Sequence, residues 1–291
     1  MSAQAASVSA PANLDAGQAP ASSPALRQGA ACDPGPAGAP PPHITVRGLS
    51  KTFKGAAIYS KFDLDVPRGK FVSIFGPNGC GKSTLINMIS GLIPMDQGEV
   101  LFDGKTLAQT RIGYVFQNYR EALFPWMSAF ANIEYALKLR KVAASKARDR
   151  VTKLVEHMGV KIDLSLYPYQ MSGGQQQLVS IMRALVVEPE VLFLDEPFSA
   201  LDYEMTLFMR EQLQRIFEET GTTMMLVSHD LEEAVYLADY VLLLSRSPAR
   251  IADYRLIDIP RPRNDATLAR PDFVGLKSQC LEIFQRQVRS A

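Results

Sequence analysis

The chain has 291 residues, of which 47% are apolar, enough to bury a substantial core in one or two domains. Its 31 basic and 30 acidic residues nearly cancel, which argues against nucleic acid as a partner because such binding surfaces need a basic excess. No apolar run reaches the roughly 18–20 residues that span a bilayer, and the N-terminus lacks the basic start and apolar stretch of a secretory signal. Three scattered cysteines, Cys32, Cys80 and Cys280, are typical of a reducing compartment.

Residues 1–42 are dominated by Ala, Pro, Ser and Gly and end in consecutive prolines. The segment has no aromatic residue, and its charged residues are Asp15, Arg27 and Asp33. Such a composition cannot bury enough apolar surface to offset the entropy lost on ordering. We therefore expect a disordered tail, and docking to a partner is an alternative that composition leaves open.

Short strands are predicted in the part of the chain that follows the tail. Alternation of apolar and polar residues indicates strands at 44–47 and 62–66, and further strands are predicted at 71–75, 98–104 and 112–116. The first ordered part is therefore expected to contain β-hairpins on either side of the apolar strand at 71–75.

This apolar strand leads into a loop and a helix that carry the pattern G-x-x-x-x-G-K-S. The residues are Gly76, Pro77, Asn78, Gly79, Cys80, Gly81, Lys82, Ser83 and Thr84. Glycines let the loop amides converge on a phosphate, and the helix N-terminus adds partial positive charge. Lys82 would reach the β- and γ-phosphates, and the Ser83 hydroxyl would bind Mg²⁺. The pattern predicts nucleotide binding, the alternative being a glycine-rich turn without a ligand.

Helical periodicity runs from residue 128 to about 185, with one helix expected to end at Gly159. Beyond it, strands at 191–194, 222–227 and 240–244 alternate with helices at 207–219 and 231–238. This order predicts a largely parallel sheet with right-handed crossovers, covered on both faces. A last helix at 271–288 is expected to pack against the domain through the side that carries Phe273, Leu276, Cys280, Phe284 and Val288.

Two polar motifs follow strands of this sheet. Asp195 and Glu196 end the strand at 191–194, where ligands bind in open α/β sheets, and His229 follows the strand at 222–227. Asp195 is placed to hold Mg²⁺, and Glu196 to polarise an attacking water. Adjacent acids and a lone histidine are common by chance, so their interpretation depends on Lys82 upstream.

A second phosphate-binding pattern opens a helix near the middle of the chain. Its residues are Ser172, Gly173, Gly174 and Gln175, preceded by Met171. A hydroxyl, two glycines and a helix N-terminus suit a phosphate. Because the chain already has one phosphate loop, the economical explanation is that this segment faces the nucleotide of another subunit.

Taken in order, these motifs resemble those of the ATP-binding subunit of ABC transporters. The resemblance covers about residues 44–260 and includes 76–84, Gln117, 171–175, 195–197, 199–202 and His229. It implies an α/β fold in which a P-loop nucleotide-binding core has a mostly parallel sheet, with an antiparallel β subdomain and an inserted α-helical subdomain at about 127–185. The ATP-binding domain is expected at 43–262, followed by a C-terminal helical extension at 263–291.

The resemblance also implies roles for single residues. Phe53 lies where the family has an aromatic ring that stacks on adenine, a core phenylalanine being the alternative. Gln117 matches a glutamine that contacts Mg²⁺ and the water and senses the membrane subunit. Glu196 matches the catalytic base, and His229 matches the switch histidine.

Three further residues would act across a dimer. Ser172 and Gly174 match residues that touch the γ-phosphate held by the other chain, and Asp202 matches the acid that links the two sites. Leu178 and Met182 depart from the family, which usually has arginine and alanine there. A non-hydrolysing regulatory subunit is therefore one alternative.

Cofactors, partners and location follow from the same resemblance. It implies ATP and Mg²⁺, a second ATP-binding subunit that is most simply another copy, integral membrane permease subunits and, indirectly, a solute-binding protein. The chain would lie on the cytoplasmic face of the inner membrane. Runs at 124–126, 195–202 and 245–251 are similar to the nitrate, sulfonate and taurine importers, which would make the solute a small anion. A soluble ABC-type ATPase that is not coupled to transport is the other alternative.

Overall fold

The computed structural model describes residues 41–199 and 201–289, and at positions 119 and 120 it describes the backbone alone. The predicted disordered tail therefore lies outside the described residues, apart from its last two positions. The second of these, Pro42, already belongs to a strand. The tail and the proposed domain limits remain predictions.

Nine strands form two sheets within the described part of the chain. They are β1 (Pro42–Phe53), β2 (Ala56–Pro67), β3 (Phe71–Phe75), β4 (Gln97–Phe102), β5 (Ile112–Val115), β6 (Val191–Asp195), β7 (Thr223–Val227), β8 (Tyr240–Leu244) and β9 (Ile251–Leu256). The smaller sheet is antiparallel, in the order β2-β1-β4. The larger sheet has the order β5-β6-β7-β3-β8-β9 and is parallel except at its last strand. This arrangement confirms the predicted α/β class with a parallel core and an antiparallel β part.

The central strands of the larger sheet are buried along their whole length, as the unbroken apolar runs predict. The edge strand β9 was not predicted. Its residues mix charged and apolar side chains without a clear period, and they are only partly buried because one edge of the strand has no neighbour in the sheet. The predicted strands at 44–47 and 62–66 are also too short, because β1 and β2 pair along twelve residues each.

Helices cover the two faces of the parallel sheet or lie between β5 and β6. They are α1 (Lys82–Ile89), α2 (Tyr119–Ala122), α3 (Ala129–Leu139), α4 (Ala144–Met158), α5 (Gly173–Leu185), α6 (Tyr203–Thr220), α7 (Leu231–Leu237), α8 (Asp265–Leu268) and α9 (Pro271–Arg289). The predicted end of a helix at Gly159 is confirmed, and α6 ends at Gly221; both glycines adopt the left-handed conformation that closes a helix. Polar caps at Ser128, Ser172 and Asp202 fix the starts of α3, α5 and α6.

The C-terminal helix α9 packs against the domain, as expected, and contacts β3, the strand that leads into the G-x-x-x-x-G-K-S loop. Phe273 and Cys280 are fully buried, and the Phe284 ring lies 5.0 Å from the Phe75 ring at the end of β3. The prediction is wrong for Val288, which is exposed near the free end of the helix. Between residues 41 and 289, no described helix combines the length and apolar composition required to cross a bilayer.

Candidate active site

The phosphate loop joins β3 to α1, as the sequence predicts. Gly81 has φ +105°, and a Cβ there would lie 2.7 Å from Ile58 and 2.9 Å from the Tyr59 ring. The Tyr59 hydroxyl donates a hydrogen bond to the Gly81 carbonyl at 3.0 Å. Strand β2 therefore contacts the loop directly, at a position where only glycine fits. Sequence reasoning missed Tyr59, because this contact joins a strand of the smaller sheet to a loop that follows a strand of the larger sheet.

Lys82 is folded back across the loop. Its Nζ donates to the carbonyls of Gly76 at 2.9 Å and Pro77 at 3.2 Å, and the side chain is buried. A phosphate oxygen carries negative charge and is a stronger partner for an ammonium group than a neutral carbonyl. The position of Lys82 therefore fits a side chain that exchanges loop carbonyls for phosphate oxygens.

The pocket above the loop has a volume of about 350 Å³. It is lined by Phe53, Ile58, Asn78, Gly79, Gly81, Lys82, Ser83, Thr84 and Glu196. Phe53 is 42% exposed, so it is not a core residue and its ring is available for stacking. Open glycines, a helix N-terminus and a lysine form a donor set that fits a triphosphate.

Cys80 occupies a different environment from its neighbours in the loop. Its side chain is buried in the core next to β3, and its backbone N–H donates to the Pro77 carbonyl at 3.2 Å. Burial raises the pKa of the Cys80 thiol. The side chain of this predicted binding residue therefore faces the core, and Cys80 does not line the phosphate-loop pocket.

Ser83 and Asp195 form the oxygen-rich part of the site. The Ser83 hydroxyl donates to Asp195 Oδ1 at 2.8 Å, so two of the three predicted metal ligands are neighbours. The third, Gln117, bonds to Glu196 in this structure. Burial raises the pKa of the Asp195 carboxyl, and the hydrogen bond from Ser83 opposes this rise. Across the described ranges, no group of three or more His, Cys, Asp or Glu could hold a metal ion. One hydroxyl and one carboxylate fit Mg²⁺, which takes its remaining ligands from phosphates and water.

Three predicted residues meet at the carboxyl ends of neighbouring strands. Gln117 Nε2 donates to Glu196 Oε2 at 2.9 Å, and His229 Nδ1 lies 3.4 Å from the same oxygen. Gln117 follows β5, Glu196 follows β6, and the histidine follows β7, which are adjacent and parallel. Glu196 has φ +45°, an uncommon conformation that aims its carboxylate at this cluster. The sheet topology therefore brings together side chains separated by up to 112 positions in the sequence.

A buried hydrogen-bond network includes Ser228, the residue directly before His229. The hydroxyl of Ser228 donates to Glu233 Oε2 at 2.7 Å, and Arg210 Nη2 donates to Glu233 Oε1 at 3.0 Å. All three residues are at least 90% buried. Sequence reasoning missed Arg210 and Glu233, because each lies within an ordinary amphipathic helix and only the tertiary fold pairs them.

The pattern at the start of α5 lies away from this pocket. Ser172 Oγ accepts from the Gln175 N–H at 3.3 Å, and Gln175 Oε1 accepts from the Ser172 N–H at 3.0 Å, which is a capping box. Ser172 is exposed, and a Cβ on Gly174 would lie 2.9 Å from Met205 of α6. Neither these residues nor Gly173 line the phosphate-loop pocket. Their predicted role towards another subunit remains a prediction.

Asp202 and the two atypical residues of α5 have clear local roles. Asp202 Oδ1 accepts from the Met205 N–H at 2.8 Å and so caps α6. Ala200, two positions earlier in the same motif, lies outside the described residues. Leu178 and Met182 are buried in the main core, and neither lines the phosphate-loop pocket. The departures from the family pattern therefore change core packing and leave the polar site intact.

The fold and the site together define a P-loop ATP-binding cassette. A family model described as ABC transporter matches residues 59–199. The uncharacterized ABC transporter ATP-binding protein MJ0412 of Methanocaldococcus jannaschii is 34% identical over 251 residues, which are 84% of this chain and 92% of that protein. The chain belongs to the ATP-binding proteins of ABC transporters.

Two importer subunits are among its relatives. The spermidine/putrescine import ATP-binding protein PotA of Aliivibrio fischeri is 40% identical over 206 residues, 69% of this chain and 55% of PotA. The sulfate/thiosulfate import ATP-binding protein CysA of Thermosynechococcus vestitus is 40% identical over 223 residues, 72% of this chain and 66% of CysA. The chain thus spans about half the length of PotA and two thirds of CysA.

Solved structures show the same fold. The dimeric ABC transporter cassette MJ0796 matches with a TM-score of 0.66 and 29% identity, over 75% of this chain and 100% of that one. A second MJ0796 structure, a dimeric post-hydrolysis state bound to ADP and Pi, matches with a TM-score of 0.66 and 28% identity, over the same shares of the two chains. ATP-binding cassettes of this class hydrolyse ATP.

Proposed function

We propose that this chain hydrolyses ATP as the energy-supplying subunit of an ABC importer. The observation that carries the proposal is the cluster of Gln117, Glu196 and His229 around one carboxylate oxygen, beside the phosphate loop. Three polar groups held at adjacent strand ends are suited to bind a water and the terminal phosphate of a nucleotide.

Each residue has a defined part in the reaction. Loop amides and Lys82 would bind the phosphates, and Ser83 with Asp195 would hold Mg²⁺. When bound, Mg²⁺ neutralises charge on the β- and γ-phosphates. Glu196 accepts a proton from the water whose oxygen attacks the γ-phosphorus, while the bond to the bridging oxygen of ADP breaks. Gln117 and His229 orient that water and the phosphate, and Phe53 stacks on adenine.

A second subunit, most simply another copy, would complete each site. In support, Ser172 is exposed at a helix N-terminus, yet it lies outside the pocket of its own chain. In a head-to-tail pair, Ser172, Gly174 and the rest of that segment would contact the γ-phosphate bound to the other copy. ATP would then favour the closed dimer because it contacts both chains only there. Loss of the γ-phosphate would let the dimer open.

A surface next to the active site supports a membrane permease as partner. A groove of about 520 Å³ is lined by Gln117, Phe116 and Leu92, among others, and reaches Asp195. Beside it, Trp126 and Leu139 are 70% and 67% exposed. Exposed aromatic and aliphatic side chains around a groove are typical of protein-binding surfaces. A permease segment in this groove would contact the residue that also contacts Glu196.

The transported solute is inferred from three short runs of the sequence. The sequence runs at 124–126, 195–202 and 245–251 favour a small anion such as nitrate, a sulfonate or taurine. The relatives include one importer named for sulfate and thiosulfate and several named for the cations spermidine and putrescine. We propose a small anionic solute, captured by a solute-binding protein and delivered to the permease, with this chain peripheral on the cytoplasmic face of the inner membrane.

The function is tested by purifying the chain from solubilised membranes and assaying phosphate release. We expect integral membrane proteins to co-purify, and we expect reconstituted hydrolysis to rise with the solute-binding protein loaded with its anion. Hydrolysis without any membrane companion would favour the ATPase that is not coupled to transport. Absence of hydrolysis in the complete assembly would favour the regulatory alternative.

A further inference from the structure

Tyr114 stands between the Mg²⁺ ligands and the groove that leads to Gln117. It lies on β5, three positions before Gln117. Its hydroxyl oxygen is 2.5 Å from Asn87 Oδ1 on α1 and 3.4 Å from Asp195 Oδ2 at the end of β6. One phenol therefore joins three elements that surround the proposed metal position.

The two oxygens of Asp195 have different partners. Oδ1 accepts from Ser83 at 2.8 Å, whereas Oδ2 faces the Tyr114 hydroxyl. A tyrosine hydroxyl has one hydrogen to donate. The Asn87 amide can present its oxygen or, after a half-turn, its NH₂ group to the hydroxyl; the second arrangement frees the hydrogen for Asp195. An ionised carboxylate favours this second arrangement because charge-assisted hydrogen bonds are the stronger ones.

The Tyr114 ring is held on two sides. Its centroid lies 4.6 Å from that of Phe116 and 6.1 Å from that of Phe193. Phe193 is fully buried, while Phe116 is partly exposed in the groove. The hydroxyl is therefore placed by packing of the ring as well as by its hydrogen bonds.

We propose that Tyr114 is a positioning residue that orients the Asp195 carboxylate for Mg²⁺. By holding Oδ2, its hydroxyl keeps Oδ1 turned towards Ser83, so that the hydroxyl and the carboxylate of the metal site face one another before nucleotide arrives. This inference rests on the proposed ATP-binding function and adds a residue that acts through Asp195. Tyr114 itself does not line the phosphate-loop pocket.

The test separates Mg²⁺ from the rest of the binding site. The dissociation constant for the non-hydrolysable ATP analogue AMP-PNP is measured with excess Mg²⁺ and again with EDTA, and the ratio gives the enhancement due to the metal. In Tyr114→Phe, which keeps the ring, we expect this enhancement to fall about three- to tenfold, as for loss of a hydrogen bond to a charged group at long distance. The constant measured in EDTA should not change.

Two further variants complete the design. Tyr254→Phe removes a buried hydroxyl that donates to the Asp65 carbonyl, and it should leave the enhancement unchanged. In an Asp195→Asn background, adding Tyr114→Phe should have no further effect, because the residue acts through that carboxylate.

Two results would overturn the inference: an unchanged enhancement, or an equal loss of affinity with and without Mg²⁺, which would mean general damage to the site. Failure of the unmodified protein to bind AMP-PNP would instead contradict the proposed function.

Discussion

Gln117 donates a hydrogen bond to Glu196 at 2.9 Å, across the ends of two adjacent parallel strands. Gln117 also lines the groove proposed for the permease, so a single side chain contacts both that surface and the proposed catalytic base. Movement of the segment after β5 would therefore change the position of the amide relative to Glu196. In the proposed importer, this contact would provide a direct physical route from a bound partner to hydrolysis.

Replacement of this amide should slow hydrolysis without weakening nucleotide binding. In Gln117→Ala we expect kcat to fall about tenfold, less than the roughly 100- to 10,000-fold of a group that itself transfers the proton, because Gln117 only orients the water. The dissociation constant for ATP should stay the same, since Gln117 does not line the phosphate-loop pocket. Gln285→Ala, on the exposed side of α9, is the matched control. An unchanged kcat would remove Gln117 from the reaction.

Removal of the loop lysine should reduce affinity as well as rate. Lys82→Ala deletes an ammonium group that now bonds two loop carbonyls and would bond phosphate oxygens. Charge-assisted hydrogen bonds are worth about 1.5–3 kcal/mol, so the dissociation constant for ATP should rise about 10- to 100-fold. Lys153→Ala, at an exposed position on α4, serves as the control in the same titration. Equal affinities of Lys82→Ala and the unmodified protein would contradict the assignment.

Loss of Glu233 should destabilise the fold and misplace His229. In Glu233→Ala the buried Arg210 loses its 3.0 Å partner, and breaking a buried ion pair costs about 3–5 kcal/mol. Urea denaturation measures this loss. The neighbouring Glu232→Ala breaks a half-exposed pair with Lys277 and should cost no more than about 1 kcal/mol. Similar costs for the two variants would show that the buried pair contributes little.

His43 should make the stability depend on pH. Burial, aided by Arg68, lowers the pKa of His43 from 6.5 to about 4. Its Nδ1 is 2.6 Å from Thr223 Oγ1, and its Nε2 is 3.5 Å from Asp103, which pairs with Arg68. As the pH falls, His43 therefore becomes protonated near pH 6.5 in the unfolded chain, but only near pH 4 in the folded chain.

This contribution to stability is complete above pH 6.5 and is lost progressively as the pH falls towards 4. Other groups titrate in the same range, so the comparison is with His43→Asn, which keeps a polar group but cannot titrate. The free energy of unfolding of the unmodified protein should fall relative to that variant between pH 7 and pH 4.5. Parallel curves for the two proteins would contradict the prediction.

Local patterns predicted which of these residues lie in the loop and at the strand ends, because the motifs are short and lie where strands end. The loop at 76–81, the carboxylates after β6 and the histidine after β7 were all placed from the residues around them. Contacts between distant positions could not be read in this way. Tyr59 against Gly81, Arg210 with Glu233, and Tyr114 beside Asp195 each join different elements. The edge strand β9 was missed because its sequence has no periodic pattern. It is a strand because it pairs with β8.

The central claim is that Ser172 and its neighbours complete the active site of another copy. The most direct test is the mass in solution of Glu196→Gln, which should bind ATP without hydrolysing it, measured with MgATP by light scattering. We predict a dimer. Adding Ser172→Arg should give a monomer that still binds ATP, since its own phosphate loop is intact, whereas adding Ser278→Arg on α9 should leave the dimer. A Glu196→Gln protein that binds MgATP and stays monomeric, or a dimer that tolerates Ser172→Arg, would contradict the account.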